Sequence, residues 1–582
     1  MKYKLAEQQD LGNVRESILL NRGVSDPDHY LNTTDEDIIH YSNLGESIKL
    51  ACSEFMKSIE EKDRIAILAD ADFDGVASSS ILYQYIVETF NINPIYYIHS
   101  GKQHGLSDKE LFPTILEDVK SRKVKLLLIP DSSTNDKDEC LKLSRLGCKI
   151  IIADHHQKEK DNNSAIIINP QLVSTYENLF ASGCVITWKL LKALDDELWV
   201  SNADKYLDLV AASIVADGMD LRTFENKRLI EKGLSNITNK MLQAFIDKQS
   251  YSIKGDINPT AIAFYIAPLI NSLVRVGTTE EKDLMFRAFC QIDQSFEYEK
   301  RDKSIVQETI YERVARLAVN AKSRQDRAIE KGIEIVKQDI ETNRRNDNKI
   351  LFAKATDDLP KEFTGLVSMK LASFYNKPCV LLREGKNEYY SGSLRNFSGS
   401  PLTDMKGFLQ SLGYVQWMAG HSNACAIGLT RRQLLKTIEL SNEKLKNYDF
   451  SVIYNVDFAL TPEQLDHHLL HDLYKMRFHY GQQLPEALIL LKDVCIDSSR
   501  IEFLGKGTKD TWKFNLKDNI DVIKFRIGKE DSLLKFRESE GAWDGEGIRM
   551  NLVVKVSQSE FRGELRWNLI CEDYEEIHPF AS

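Results

Sequence analysis

Four clusters of carboxylates and imidazoles recur along the chain, each directly behind an apolar run. Ile65–Ala69 leads into Asp70-Ala71-Asp72-Phe73-Asp74-Gly75, and Lys125–Pro130 leads into Asp131. Leu146–Ala153 leads into Asp154-His155-His156, and Leu207–Ala216 leads into Asp217. Hard carboxylate oxygens with imidazole nitrogens, and no cysteine among them, suit Mn²⁺ or Mg²⁺ rather than zinc. A phosphodiester resists attack because its oxygens repel a nucleophile. Two cations about 3.5–4 Å apart would neutralise the developing charge, orient the nucleophile and stabilise the leaving oxygen. Phosphodiester hydrolysis at a metal site is the chemistry these residues predict.

Apolar runs of this kind read as parallel strands covered by helices on both faces. In such sheets the site lies outside the carboxyl ends of the strands, so four chain segments would deliver their ligands to one crevice. Asp70 and Asp72 sit two apart just beyond a strand. They would share a face if the strand continued, or reach one ion from a tight turn. Asp74 is either a further ligand or the start of an Asp-Gly turn; the turn is preferred, and the residue is grouped with the catalytic set. Any one such Asp could equally cap a helix after a strand; all four in order are a site.

Composition bounds the rest. A chain of 582 residues exceeds one core and predicts about three domains. No apolar stretch reads as a membrane span, and the opening residues lack a signal-peptide core. Nine scattered cysteines without a Cys-x-x-Cys pair read as reduced thiols of a cytoplasmic protein. The net charge of −11 does not advertise nucleic-acid binding. Clustered carboxylates that hold cations contribute to that charge, however, and bound ions offset part of it.

The four clusters, in this order, resemble the DHH phosphoesterase superfamily, and the larger pattern resembles the RecJ single-strand-specific exonucleases. Asp70–Gly75 is similar to the first motif, Asp131 to the second, Asp154-His155-His156 to the third and Ile214–Gly218 to the fourth. Glu225–Ile230, Gly233-Leu234 and Ile266–Asn271 followed by Arg275 and Gly277 extend the resemblance. Gly392-Ser393-Leu394-Arg395 and Ala419-Gly420-His421 resemble the two signatures of the accessory domain called DHHA1. The resemblance implies an α/β fold: a parallel-sheet DHH domain, a long helical connector, a second α/β DHHA1 domain and a C-terminal OB-like β-barrel. The expected boundaries are 1–55 for a helical lead-in, 56–300 for the DHH domain and 301–345 for one or two connecting helices. The DHHA1 domain would occupy 346–450 and the barrel 451–582.

The resemblance also implies roles. Asp70, Asp72, Asp131, His155 and Asp217 would hold two divalent cations, Mn²⁺ or Mg²⁺. His156 would reach the scissile phosphate, and Asp154 would orient its neighbours. Arg275 and Asn271 would bind substrate phosphate, a guanidinium being able to hold two oxygens at once. Ser393, Arg395 and His421 would hold the 5′ end or adjacent phosphates across a channel that admits a single strand but not a duplex. Trp512, Phe514, Phe525, Phe536 and Trp567, with Lys513, Lys517, Lys524, Arg526, Lys535 and Arg537 nearby, offer aromatic platforms among cations. Most of those aromatics read equally well as barrel core. Glu560–Glu564 resembles the last hairpin of the barrel.

Three segments depart from the family pattern. Pro130-Asp131-Ser132-Ser133-Thr134 stands where Asp-Cys-Gly is usual, Gly101–Ser107 keeps only the Gly-Leu-Ser end, and Ala419 replaces the first of two glycines. A divergent RecJ-like protein, of a mobile element or a chromosome, has this character. The expected activity is 5′→3′ exonuclease action on single-stranded DNA in repair or recombination. The expected form is a monomer working with a single-strand-binding protein or helicase and no membrane. The alternatives are a phosphodiesterase of cyclic dinucleotides or short oligoribonucleotides, which the extra barrel disfavours, and an inactive scaffold in a replication complex, which intact ligands disfavour.

Overall fold

The chain enters on a strand, β1 (Lys2–Leu5), which pairs in parallel with Ile453–Val456; helices Val14–Asn21, Pro27–Leu31 and Glu46–Glu60 then follow in and beyond the expected helical lead-in. The computed structural model describes residues 1–101, 103–253, 255–505, 510–528, 531–538, 547–561 and 563–577. These form two compact units. One comprises Arg22–Arg324 with Met476–Glu486; the other comprises Met1–Asn21, Gln325–Lys475 and Ala487–Ser582.

The first unit is built on a five-stranded parallel sheet of β2 (Ile65–Ala69), β3 (Ile95–Ile98), β4 (Leu126–Pro130), β5 (Lys149–Ala153) and β6 (Ile166–Ile168). Their order is β3-β2-β4-β5-β6, parallel throughout. All five residues of β2 and of β4 are buried, which is why these strands are unbroken apolar runs rather than alternating ones. One face packs Ala66, Leu68, Leu127, Ile129, Ile150 and Ile152 against Ile115, Val119, Cys140 and Leu143 from flanking helices. The chain leaves β2 for one side of the sheet and returns as β4 on the other. The crevice between their carboxyl ends is therefore the switch point where such sheets bind ligands.

Helix α1 (Phe73–Phe90) follows β2, and α2 (Gly183–Leu198) follows the sheet. The fourth apolar run is not a strand but a helix, α3 (Leu207–Ala216), with Asp217 at its C-terminal cap. A ten-residue run buried on every side has no helical periodicity to display, so burial disguised its type. Helix α4 (Ala267–Val276) continues from a π-helical turn at Ile262–Ile266. The stretch Pro259–Val276 has the length and hydropathy of a membrane span, which the sequence reading denied to the whole chain. It nevertheless lies in this unit with 56% of its residues buried.

An antiparallel hairpin, β7 (Ser295–Glu299) and β8 (Ile305–Thr309), takes up the start of the expected connector. A single helix, α5 (Ile310–Thr342), supplies the rest. Its buried stripe runs through Ile310, Val314, Ala318, Ala321, Gln325 and Ile329, while Ile305 is exposed on β8.

In the second unit β9 (Leu351–Lys354), helix α6 (Thr364–Tyr375), β10 (Cys379–Glu384), β11 (Tyr389–Arg395), β12 (Trp417–His421) and β13 (Ala424–Thr430) form an α/β layer. Its strand order is β12-β13-β11-β10-β9, and only β9 and β10 are parallel. After β14 (Ile453–Val456) comes a seven-stranded sheet. Its members are β15 (Phe458–Leu460), β16 (Ile489–Asp497), β17 (Glu502–Leu504), β18 (Thr511–Lys517), β19 (Ile520–Phe525), β20 (Gly547–Phe561) and β21 (Glu564–Glu576). It is antiparallel except for the pairs β15–β16 and β19–β21.

Trp512, Phe514 and Trp567 are buried in this sheet and serve as core; Phe525 is exposed. Arg562, and the side chains of Phe536 and Arg537, lie outside the described residues.

Candidate metal centre

Each motif is delivered by a chain reversal. Beyond β2 the chain turns at Asp70 and Ala71 into α1, whose N-cap is Asp72, accepting from the Gly75 amide at 3.1 Å. A Cβ on Gly75 would lie 2.5 Å from Asp70 Cβ, so only glycine lets the helix start this close to the strand end. Asp74 is not a turn residue. It sits in the first turn of α1, buried, and its carboxylate accepts from the Gly183 and Cys184 amides at 2.7 and 2.9 Å. These are the leading N–H groups of α2, which carry the positive end of that helix. Asp131, after β4, adopts a left-handed φ of +65°, a strained conformation for a non-glycine residue and one typical of functional sites. Its Oδ1 would lie 2.4 Å from a Cβ at position 183, so α2 approaches it through Gly183.

His155 Nε2 stands 3.3 Å from Asp131 Oδ1, 3.5 Å from Asp217 Oδ2 and 3.9 Å from Asp74 Oδ2. Fully buried Asp154 accepts from the Thr134 amide at 3.1 Å and from the His155 amide at 2.7 Å, and pairs with His156 Nδ1 at 2.7 Å. It orients the loop from inside. His104, which the sequence reading passed over, places Nδ1 2.6 Å from Asp70 Oδ2. Behind it, buried His99 contacts Asp108 at 2.7 Å and lies 3.6 Å from Asp70 Oδ1. The Gly-Leu-Ser at 105–107 marked this loop, but a histidine on a loop has no flanking periodicity to single it out.

The donor atoms gather into neighbouring sets. Asp70, Asp72 and His104 form one; Asp74, His155 and Asp217 form another, which Asp131, Asp154 and His156 adjoin through His155. Burial, then repulsion from Asp74 and Asp72, pushes the Asp131 and Asp217 carboxyls well above their ordinary range. Burial and Asp70 raise Asp72 in the same direction. Burial disfavours the Asp154 anion too, yet the hydrogen bond and charge of His156 hold it low, and Asp154 in turn raises His156 to about 9. Burial lowers His155, keeping its imidazole neutral and able to donate a lone pair. Asp131 Oδ1 is buried without a hydrogen-bond partner. An oxygen-rich set with surplus negative charge and an orphaned carboxylate oxygen fits a divalent cation.

Asp72, Asp74, His104 and Asp217 line a cavity of about 220 Å³ together with Asn271 and Arg275 from α4. The charge of Asp72 counters the desolvation of the Arg275 guanidinium. The structure thus brings together Asp70, Asp72, Asp74, Asp131, Asp154, His155, His156, Asp217, Asn271 and Arg275 within one unit.

Residues 64–214 match the DHH family, N-terminal domain, and residues 456–573 match the RecJ OB domain. A Bacillus subtilis (strain 168) protein, provisionally named SPbeta prophage-derived single-strand DNA-specific exonuclease YorK, is 33% identical over 572 residues, spanning 97% of this chain and 96% of the relative. The chain belongs to the RecJ-like branch of the DHH family. Its fold is that of RecJ from Thermus thermophilus. The Mn²⁺ complex of that protein superposes with a TM-score of 0.71 at 16% identity over 99% of this chain and 80% of the other. The Mg²⁺ complex gives 0.66 at 15% over 99% and 79%.

The other RecJ-like signature residues lie in the second unit. Arg395 on β11 and His421 on β12 both pair with Ala424 of β13, so the three share one row and one face of the sheet. Ser393 lies two residues from Arg395 on that face, opposite Ala426. Between the flanking strands β13 offers the small residues Ala424, Ala426 and Gly428 on this face, with Thr430 at its end. The Arg395 guanidinium lies against the first turn of α6, where a Cβ on Gly365 would come within 2.7 Å of it. Burial disfavours its charge, a cost that an anion would offset.

Proposed function

We propose that this RecJ-like protein is a divalent-cation-dependent exonuclease that trims single-stranded DNA from its 5′ end, in repair or recombination. The observation that carries the reading is the convergence of two histidine–carboxylate sets on a cavity lined by Asn271 and Arg275, at the sheet's switch point.

Asp70, Asp72 and His104 on one side, and Asp74, Asp131, His155 and Asp217 on the other, would hold two cations. Their imidazoles favour Mn²⁺, with Mg²⁺ as the substitute. Bound there, the cations supply an acidified water and neutralise charge on the phosphate oxygens. The remaining work belongs to side chains. Arg275 and the Asn271 amide hold non-bridging oxygens of the scissile phosphate. Asp154 keeps His156 protonated at neutral pH, because the pair raises the imidazole to about 9; His156 thus donates a proton or hydrogen bond as the leaving oxygen gains charge. In the second unit, Arg395, Ser393 and His421 bind phosphate on one face of their sheet.

The test is a time course on single-stranded DNA labelled at one end and then the other, beside a blunt duplex and a cyclic dinucleotide, with Mn²⁺, Mg²⁺ or chelator. Cation-dependent release from the 5′ end of the single strand is expected. Release first from the 3′ end, equal attack on the duplex, or preference for the cyclic dinucleotide overturns the assignment.

A further inference from the structure

The helix that presents Asn271 and Arg275 to the cavity carries a second feature on its accessible side. Along Pro259–Val276 most residues are buried; of the accessible ones Phe264, Pro268, Asn271 and Arg275 follow one another at helical spacing, and Tyr265 adjoins Phe264. Phe264 is 71% and Tyr265 39% exposed. Both lie in the π turn, where the Ala267 amide bonds to the Ile262 carbonyl five residues back. Such turns are rare, cost helical regularity and cluster at functional sites. Single exposed apolar residues need no explanation. Two neighbouring rings in line with cavity-lining groups do.

We propose that Phe264 and Tyr265 form a stacking platform for unpaired bases of the strand whose scissile phosphate is held at Asn271 and Arg275. The inference rests on the exonuclease reading above and adds the residues that would make the site prefer an unpaired strand. At about 1.5 Å of rise per residue, Phe264 lies roughly 10 Å from Asn271 and 16 Å from Arg275 along the helix. That span covers about three to five nucleotides at the 3.4 Å spacing of a stacked strand, and fewer of an extended one. Aromatic faces accept any base, so the platform suits an enzyme without sequence preference. Bases paired in a duplex cannot reach it without unstacking. Charge runs the same way: Arg275 at one end meets the phosphate backbone, while the rings meet the bases.

The experiment uses the full-length protein in chelator, so that nothing is cleaved, and a 5′-phosphorylated single strand carrying 2-aminopurine at each of the first six positions in turn. Quenching at an internal position, rather than at the terminal base, is expected for the unsubstituted chain. Phe264→Ala is expected to remove that quenching and weaken affinity about tenfold, the size of one lost base stack; Phe264→Trp retains both. Tyr265→Ala gives a smaller loss. With cation restored, the loss in kcat/KM grows with strand length from dinucleotide to dodecamer. Unchanged affinity and quenching in Phe264→Ala, while the unsubstituted chain binds and trims the strand, overturns the platform and leaves the exonuclease reading standing. An unsubstituted chain that neither binds nor trims the strand overturns both.

Discussion

The carboxyl ends of β2, β4 and β5 and the face of β11, β12 and β13 both announce themselves by short signatures, yet they are built on opposite principles. At the first, Asp70, Asp74, Asp131 and Asp154 are buried and crowd one another, held by helix N-termini, amides and histidines. Such a cluster is costly until a cation arrives. At the second, Ser393 and Arg395 are half-buried and His421 is exposed on a sheet face floored by small residues. Its Arg395 guanidinium meets a burial cost, but without the crowding of like charges found at the first. Under the proposed function the first region is strained toward its ligand and performs chemistry, and the second binds phosphate and selects. Substitutions should therefore abolish turnover in one and shift apparent affinity in the other.

The largest expected effect is chelation: excess EDTA removes hydrolysis, and Mn²⁺ restores it at least as well as Mg²⁺. Full activity in chelator, with no metal found by elemental analysis, would remove the basis of the comparison. Next are Asp131→Ala and His155→Ala, each expected to cost about 10²–10³-fold in kcat, a scale known for loss of one preorganised charge-stabilising group, while strand binding stays measurable. Near-normal turnover in either would sink the ligand assignment. Arg395→Ala should raise KM about tenfold with a smaller change in kcat, since losing a phosphate contact weakens binding and flattens the salt dependence by about one unit of slope. A collapse of kcat instead would make the two regions alike.

The smallest effect is thermodynamic. Asp72, Asp131 and Asp217 have carboxyl pKa values raised by burial and mutual repulsion in the folded chain. A raised folded pKa means the native state binds more protons than the unfolded chain. Its stabilising contribution is complete below the unfolded value near 3.9 and is lost as pH rises through the raised values. In chelator, Tm should therefore fall as pH rises above the ordinary carboxylate range, relative to protein with saturating Mn²⁺. The gain from Mn²⁺ should approach about 2.7 kcal/mol at a hundredfold excess over Kd. A Mn²⁺-induced shift independent of pH would contradict a cluster that exchanges protons for metal.

The sequence alone carried the order and type of the candidate ligands. A parallel strand buried on both faces must be an unbroken apolar run, and the polar residue ending it must lie at the sheet's carboxyl edge. Asp70, Asp131 and His155 were legible for that reason. Ser393, Arg395 and His421 were marked by their signatures, and helical spacing marked one or two connecting helices, of which the fold shows one, Ile310–Thr342. What only the folded chain decided were matters of contact between distant segments. Leu207–Ala216 is a helix buried from Leu207 to Val215, and such burial erases the periodicity that separates helix from strand. Asp74 left its expected turn because the amides at the start of Gly183–Leu198, more than a hundred residues away, receive its carboxylate. His104 joined Asp70 by loop geometry, which leaves no periodic trace. Trp512 and Phe514 became core because inward and outward positions on a twisted sheet are assigned by the sheet as a whole, not by the strand that bears them.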